Sequence, residues 1–95
     1  MTESILEEAQ RLTTGDRNHD YGTPLDDFTR TIGMINALFA HKLKAPFVPE
    51  DWPLIMQCCK CSREVNHHKR DNAVDGAGYW NTLDMVHAER QRRGM

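Results

Sequence analysis

The chain has 95 residues, 39% of them hydrophobic, and a formal net charge of −2. That length allows one helical domain spanning residues 1–95 with a small core, and the charge balance argues against a nucleic-acid binder, since it supplies no broad basic field. No apolar run reaches the length of a membrane span and the N-terminus lacks a signal-peptide core, so the expectation is a soluble cytoplasmic protein. The apolar share is below the usual one, which predicts that part of the core comes from a second copy in a homo-oligomer.

Four helical stretches account for nearly all of the sequence. Thr2 or Ser4 opens the first, and Ser4 with Glu7 forms a capping-box pattern. Ile5, Ala9 and Leu12 make its apolar line, and Gly15 stops it. Asp16 to Gly22 reads as a polar loop. Thr23 then caps the second helix, with Pro24 in the first turn, and Leu25, Phe28, Ile32, Ile35 and Phe39 repeat at alternating spacings of three and four, the pattern of a bundle seam. Met34 and Leu38 add a second apolar edge.

A connection from Lys44 to Val48 leads to the third helix, Pro49 to about Asn66, with Asp51 as the expected cap and Pro53 harmless in the first turn. Trp52, Ile55, Cys59 and Ser62 form its inner line. Cys58, Cys59 and Cys61 are too close together for a disulfide framework and point to different sides of one helix, so they read as small core residues rather than zinc ligands with His67 or His68. His67 to Arg70 is a basic turn, and Asp71 is the expected cap of the fourth helix, Asp71 to about Arg92. Gly76 and Gly78 weaken that helix and make sense where another backbone or a ligand comes close. The class is all-α, a four-helix bundle-like fold.

The chemistry concentrates on carboxylates. Asp75 lies one turn before Tyr79 on the stripe that continues to Leu83 and Val86, with Asp71 one turn further back. A charge directed into a helical interface needs a counter-charge or a cation. Either Lys60, Arg63 or Arg70 pairs with it, or a metal or phosphate site lies inside the bundle. Asp20, Asp26, Asp27, Asp71 and Asp75 together offer carboxylates of the kind that hold Mg²⁺ for work on a polyphosphate. Arg63 and Arg70 are placed to meet an anion, and Tyr21 could stack on a base or simply pack on the bundle. Arg90, Arg92 and Arg93 complement the carboxyl end of the last helix.

Three segments carry a family resemblance: Asp20-Tyr21-Gly22, Lys60-Cys-Ser-Arg63, and Arg70-Asp71-Asn-Ala-Val-Asp75-Gly-Ala-Gly-Tyr79. Covering about residues 4 to 88, they resemble a phage and prophage family of small all-α proteins, itself similar to the nucleotide-modification-associated domains and to MazG-like nucleotide pyrophosphohydrolases. The resemblance implies a helical oligomer that binds a nucleotide, in which Asp71 and Asp75 hold Mg²⁺. Asp20 would be a further metal ligand or orient water, Lys60 and Arg63 would contact phosphates, Tyr21 would stack on the base, and Arg70 and Tyr79 would complete the substrate-binding set. The sequence departs from the MazG pattern at Asn72, where those enzymes have Glu, and the preceding helix offers only Glu64. The implied activity is therefore either Mg²⁺-dependent splitting of a nucleoside triphosphate or nucleotide binding without turnover. A structural interaction module is the remaining alternative.

Overall fold

A computed structural model describes residues 3–95. The elements are α1 (Ile5–Thr13), α2 (Asp16–Tyr21), α3 (Pro24–Phe39), a 3-10 turn (Ala40–Lys42), α4 (Asp51–Asn66) and α5 (Arg70–Arg93). The described residues are all-α, with four main helices in a single domain. Thr2, the alternative first cap, lies outside the described residues. Ser4 caps α1: its hydroxyl accepts from the Glu7 amide, and the Glu7 carboxylate accepts from the Ser4 amide, both at 3.1 Å. Thr23 caps α3 by accepting from the Asp26 amide.

α5 is the common partner, against which α1, α4 and α3 all pack. Its buried line is Val74, Gly78, Thr82 and Val86, each four residues after the last. Leu25, Phe28 and Val86 form the core, with Trp52 packed on it. Two close approaches explain the glycines of α5. A Cβ on Gly78 would lie 3.3 Å from Thr13 Cγ2 on α1, and one on Gly76 would lie 3.3 Å from Gln57 Oε1 on α4. Gln57 donates to the Gly76 carbonyl at 2.7 Å, so this helix contact is also a hydrogen bond. The α3–α4 connection is held by Asn36, whose side chain bonds both backbone groups of Phe47.

Several expectations change. Asp16–Tyr21 is helix rather than loop: Gly15, at φ +66°, turns the chain sharply and α2 starts at once. α4 begins at Asp51 itself with Glu50 in the cap position, and the Asp51 carboxylate accepts from the Val48 amide ahead of it. α5 begins at Arg70 after Lys69, which puts Asp71 inside the first turn, not at the cap. Cys58 and Cys61 are exposed and Cys59 only half-buried, because α4 turns one face outward. Met34, Leu38 and Phe39 are exposed as well, and the buried residues of α3 stop at Ile32. Arg90 and Arg93 do more than complement the helix end. Arg90 holds Glu50 at 2.8 Å and Arg93 holds Asp26 at 2.8 Å, tying α5 back to the starts of α4 and α3.

Candidate functional site

Asp75 lies beside the buried line of α5 rather than in it, because the helix is rotated so that Val74 and Gly78 face inward. Its carboxylate meets Lys60 of α4 at 2.7 Å, with the Asp75 side chain 31% exposed and Lys60 12% exposed. Of the three cations that the sequence offered, Lys60 is the one that closes on it. Arg63 is exposed. Arg70 turns the other way and pairs with Glu8 of α1, and it donates to the Glu3 carbonyl.

Asp75 borders a cleft of about 220 Å³ whose other walls include Thr13, Arg17, Asp27, Phe28, Trp52, Gly78, Tyr79 and Thr82. Four helices and Trp52 of α4 thus converge there. Arg17 is the residue that sequence reasoning passed over. With Asp16–Tyr21 read as loop, no periodicity assigned it a face. In the fold its guanidinium bonds Asp27 at 2.9 Å, and it lies 5.8 Å and 5.5 Å from the ring centroids of Tyr21 and Phe28. Its Nη1 is buried with no hydrogen-bond partner among the described residues. An unmatched buried donor is costly, more so on a cation.

Tyr79 lines the cleft with its phenol pushed above the ordinary value, first by burial and then by the neighbouring Asp75 charge. Tyr21 is 57% exposed and faces a second concavity of about 590 Å³ lined by Arg11, Leu12, Thr14, Gly15, Asp16 and Arg17. The two concavities meet at Leu12 and Arg17. Asp20 and Asp71 are exposed and line neither. Asp27 and Asp75 are thus the carboxylates the fold brings to the cleft. Among the described residues no three His, Cys, Asp or Glu side chains are grouped so as to hold a metal ion. Charges at the cleft balance: Arg17 and Lys60 against Asp27 and Asp75.

No helix of the described residues is long and apolar enough to cross a membrane. A family model described as "Domain of unknown function (DUF6378)" matches residues 4–91. The chain is 37% identical over 90 residues to the Gene 55 protein of Mycobacterium phage D29, covering 94% of this chain and 57% of that protein. It is 31% identical over 91 residues to the Gene 55 protein of Mycobacterium phage L5, covering 95% of this chain and 56% of that protein. The chain therefore spans somewhat over half the length of these phage relatives. No solved structure matches it significantly.

Proposed function

The chain belongs to the DUF6378 family and has phage relatives, and from that premise we propose that it is a nucleotide-binding protein whose site is the Arg17–Asp75 cleft. The observation that carries this reading is Arg17: one arm of its guanidinium is satisfied by Asp27 while Nη1 is buried without a partner beside an aromatic-walled cleft. A buried cationic donor next to Tyr79 and Trp52 suits a ligand that carries both hydrogen-bond acceptors and a planar ring. The cleft volume of about 220 Å³ falls below the range of roughly 300–1,000 Å³ usual for a whole drug-sized ligand. It suits the base or sugar, with the phosphates running over Arg17 into the concavity beside Tyr21.

The balanced charge of the cleft supports binding over turnover, because Asp27 and Asp75 are each already paired with a protein cation, Arg17 and Lys60. One observation favours a second reading, a MazG-like Mg²⁺-dependent pyrophosphohydrolase. Asp27 and Asp75 border the same cleft, and a cation brought with the nucleotide could bind between them. In that case Asp27 takes the place that the family resemblance gave to Asp71 and Asp20. Lys60 then acts by holding Asp75 in position, not by touching phosphate. A MazG-like bundle also implies a homo-oligomer acting in the cytoplasm of a bacterial host.

A thermal-shift and calorimetry panel of ribo- and deoxyribonucleotides, with and without Mg²⁺, tests the proposal on wild type, Arg17→Lys and Asp75→Asn. A ligand that binds the folded state raises the melting temperature by mass action. Binding that weakens in Arg17→Lys, with no pyrophosphate released, supports the binder. Mg²⁺-dependent pyrophosphate release lost in Asp75→Asn supports the hydrolase. If no nucleotide shifts the wild-type melting temperature, the nucleotide reading fails, and the Asp75–Lys60 pair serves only to join α4 and α5.

A further inference from the structure

Around α5 from the cleft, a groove of about 740 Å³ runs between α4 and α5, walled by Cys61, Val65 and Trp80 and floored by Ala73, Gly76 and Ala77. Val65 is 89% exposed and Trp80 59% exposed. We infer that this groove seats a second copy of the same chain across a two-fold axis, with Trp80 of each copy entering the small-residue floor of the other.

The surface area argues for an occupant of that size. A folded monomer of 11.0 kDa exposes about 5,600 Å² by the usual scaling of area with mass. This chain exposes 6667 Å². The excess, about 1,000 Å², is close to the roughly 800 Å² that each partner buries in a standard stable interface. The shape agrees. Its radius of gyration is 14.6 Å, against about 12 Å for a compact chain of this length. Its shortest extent is 20 Å, about two helix diameters.

The patch is also complementary to itself, as a two-fold interface requires. It carries a protruding indole and a floor of Ala and Gly, so each copy offers both the knob and the hole. Its α4 lip carries both signs, with Lys60 one turn before Glu64. Glu64 is held at a pKa of about 2, first by the Asn72 amide and then by His68, so the lip keeps its negative charge at neutral pH. Two such lips facing each other need not repel. A large aromatic seated against small residues is the usual energetic centre of such a contact. Lys60 lines this groove while bonding Asp75 of the cleft, so closing the groove dries the back of the nucleotide site.

Sedimentation velocity and light scattering across roughly 1–100 μM protein, a range that brackets ordinary association, provide the test on wild type, Trp80→Glu, Ala77→Arg and Leu6→Glu. Wild type is expected at twice the 11.0 kDa chain mass. Trp80→Glu removes the knob and Ala77→Arg fills the hole, and each should weaken self-association about thirtyfold or more. Circular dichroism identifies a variant that has lost its helices, and the other groove variant then decides. Leu6 is 72% exposed and outside the groove, so Leu6→Glu should leave the mass unchanged. A wild type that stays monomeric at the highest concentration overturns the inference, as does self-association that both folded groove variants retain. Dissociation by Leu6→Glu as complete as by Trp80→Glu overturns it too. A groove filled instead by a chain segment of the kind that makes the phage relatives longer would give the first of these results.

Discussion

Gly78→Ala is the substitution that most directly probes how α5 meets α1, and Gly33→Ala is its reference. In an open helical position, replacing Gly by Ala stabilises by about 1 kcal/mol. Gly33 in α3 is such a position, with nothing within 4 Å of an added Cβ. At about 1 kcal/mol, a domain of this size should melt roughly 4–8 °C higher. Gly78 has the same propensity to gain, but its Cβ would sit 3.3 Å from Thr13 Cγ2. Thr13 is 6% exposed and cannot rotate freely. Its hydroxyl donates to the Ala9 carbonyl at 2.8 Å and accepts from Asn81 at 2.7 Å. Turning the methyl away breaks both bonds, at about 1 kcal/mol each. The expected balance is a loss of about 1 kcal/mol where Gly33→Ala gains about 1. Thr13→Ser keeps the hydroxyl and removes the methyl, so Gly78→Ala should become stabilising in that background. Urea denaturation at one fixed protein concentration measures all four variants. Equal stabilisation by Gly33→Ala and Gly78→Ala would refute the close approach of α1 to α5. So would a Gly78→Ala loss that Thr13→Ser fails to relieve.

Three further outcomes follow from the packing and charges. Phe28→Ala should cost about 3–5 kcal/mol and Phe28→Leu about 1, because Phe28 is 2% exposed under Arg17 and against Val86. The Ala variant, read by urea denaturation, thus removes a large share of the roughly 5–14 kcal/mol expected for a chain of this length. The Arg90 hydrogen bond holds the Glu50 carboxyl below its ordinary value of 4.5. A depressed carboxyl contributes stability that is present above its unfolded value and lost as pH falls through its folded value. Glu50→Gln should therefore cost about 1–2 kcal/mol at pH 7 and flatten the acid limb of a stability–pH curve. An unchanged limb would assign the acid sensitivity elsewhere. In a Tyr21→Phe background Tyr79 is the one tyrosine left, and its ionisation can be followed by ultraviolet absorbance. Asp75→Asn should make it ionise at lower pH, since the Asp75 charge helps raise it. An unmoved titration would separate Tyr79 electrostatically from Asp75.

What local chemistry encodes was legible from the residues alone. The Ser4–Glu7 box, the Thr23-Pro24 start and the Leu25, Phe28, Ile32 seam are all realised, because caps and helical periodicity act within a few residues of one another. The last two helices also fall where expected, within a residue or two of their caps. α2 was not legible, since six polar residues carry no apolar stripe, and with it went Arg17. The phage-family resemblance was legible too, and it holds at the level of the family.

The sequence left Asp75 with three candidate counter-charges on one neighbouring stretch, and each was chemically adequate. Tertiary packing chose Lys60, sent Arg70 to Glu8 and left Arg63 exposed. It likewise turned Val74, Gly78, Thr82 and Val86 inward and so rotated Asp75 to the rim of a cleft. Helix position is set by hydrogen bonds that each segment makes with itself. Which face turns inward, and which ions then meet, depends on how α1, α3 and α4 pack around α5, and no single segment contains that information.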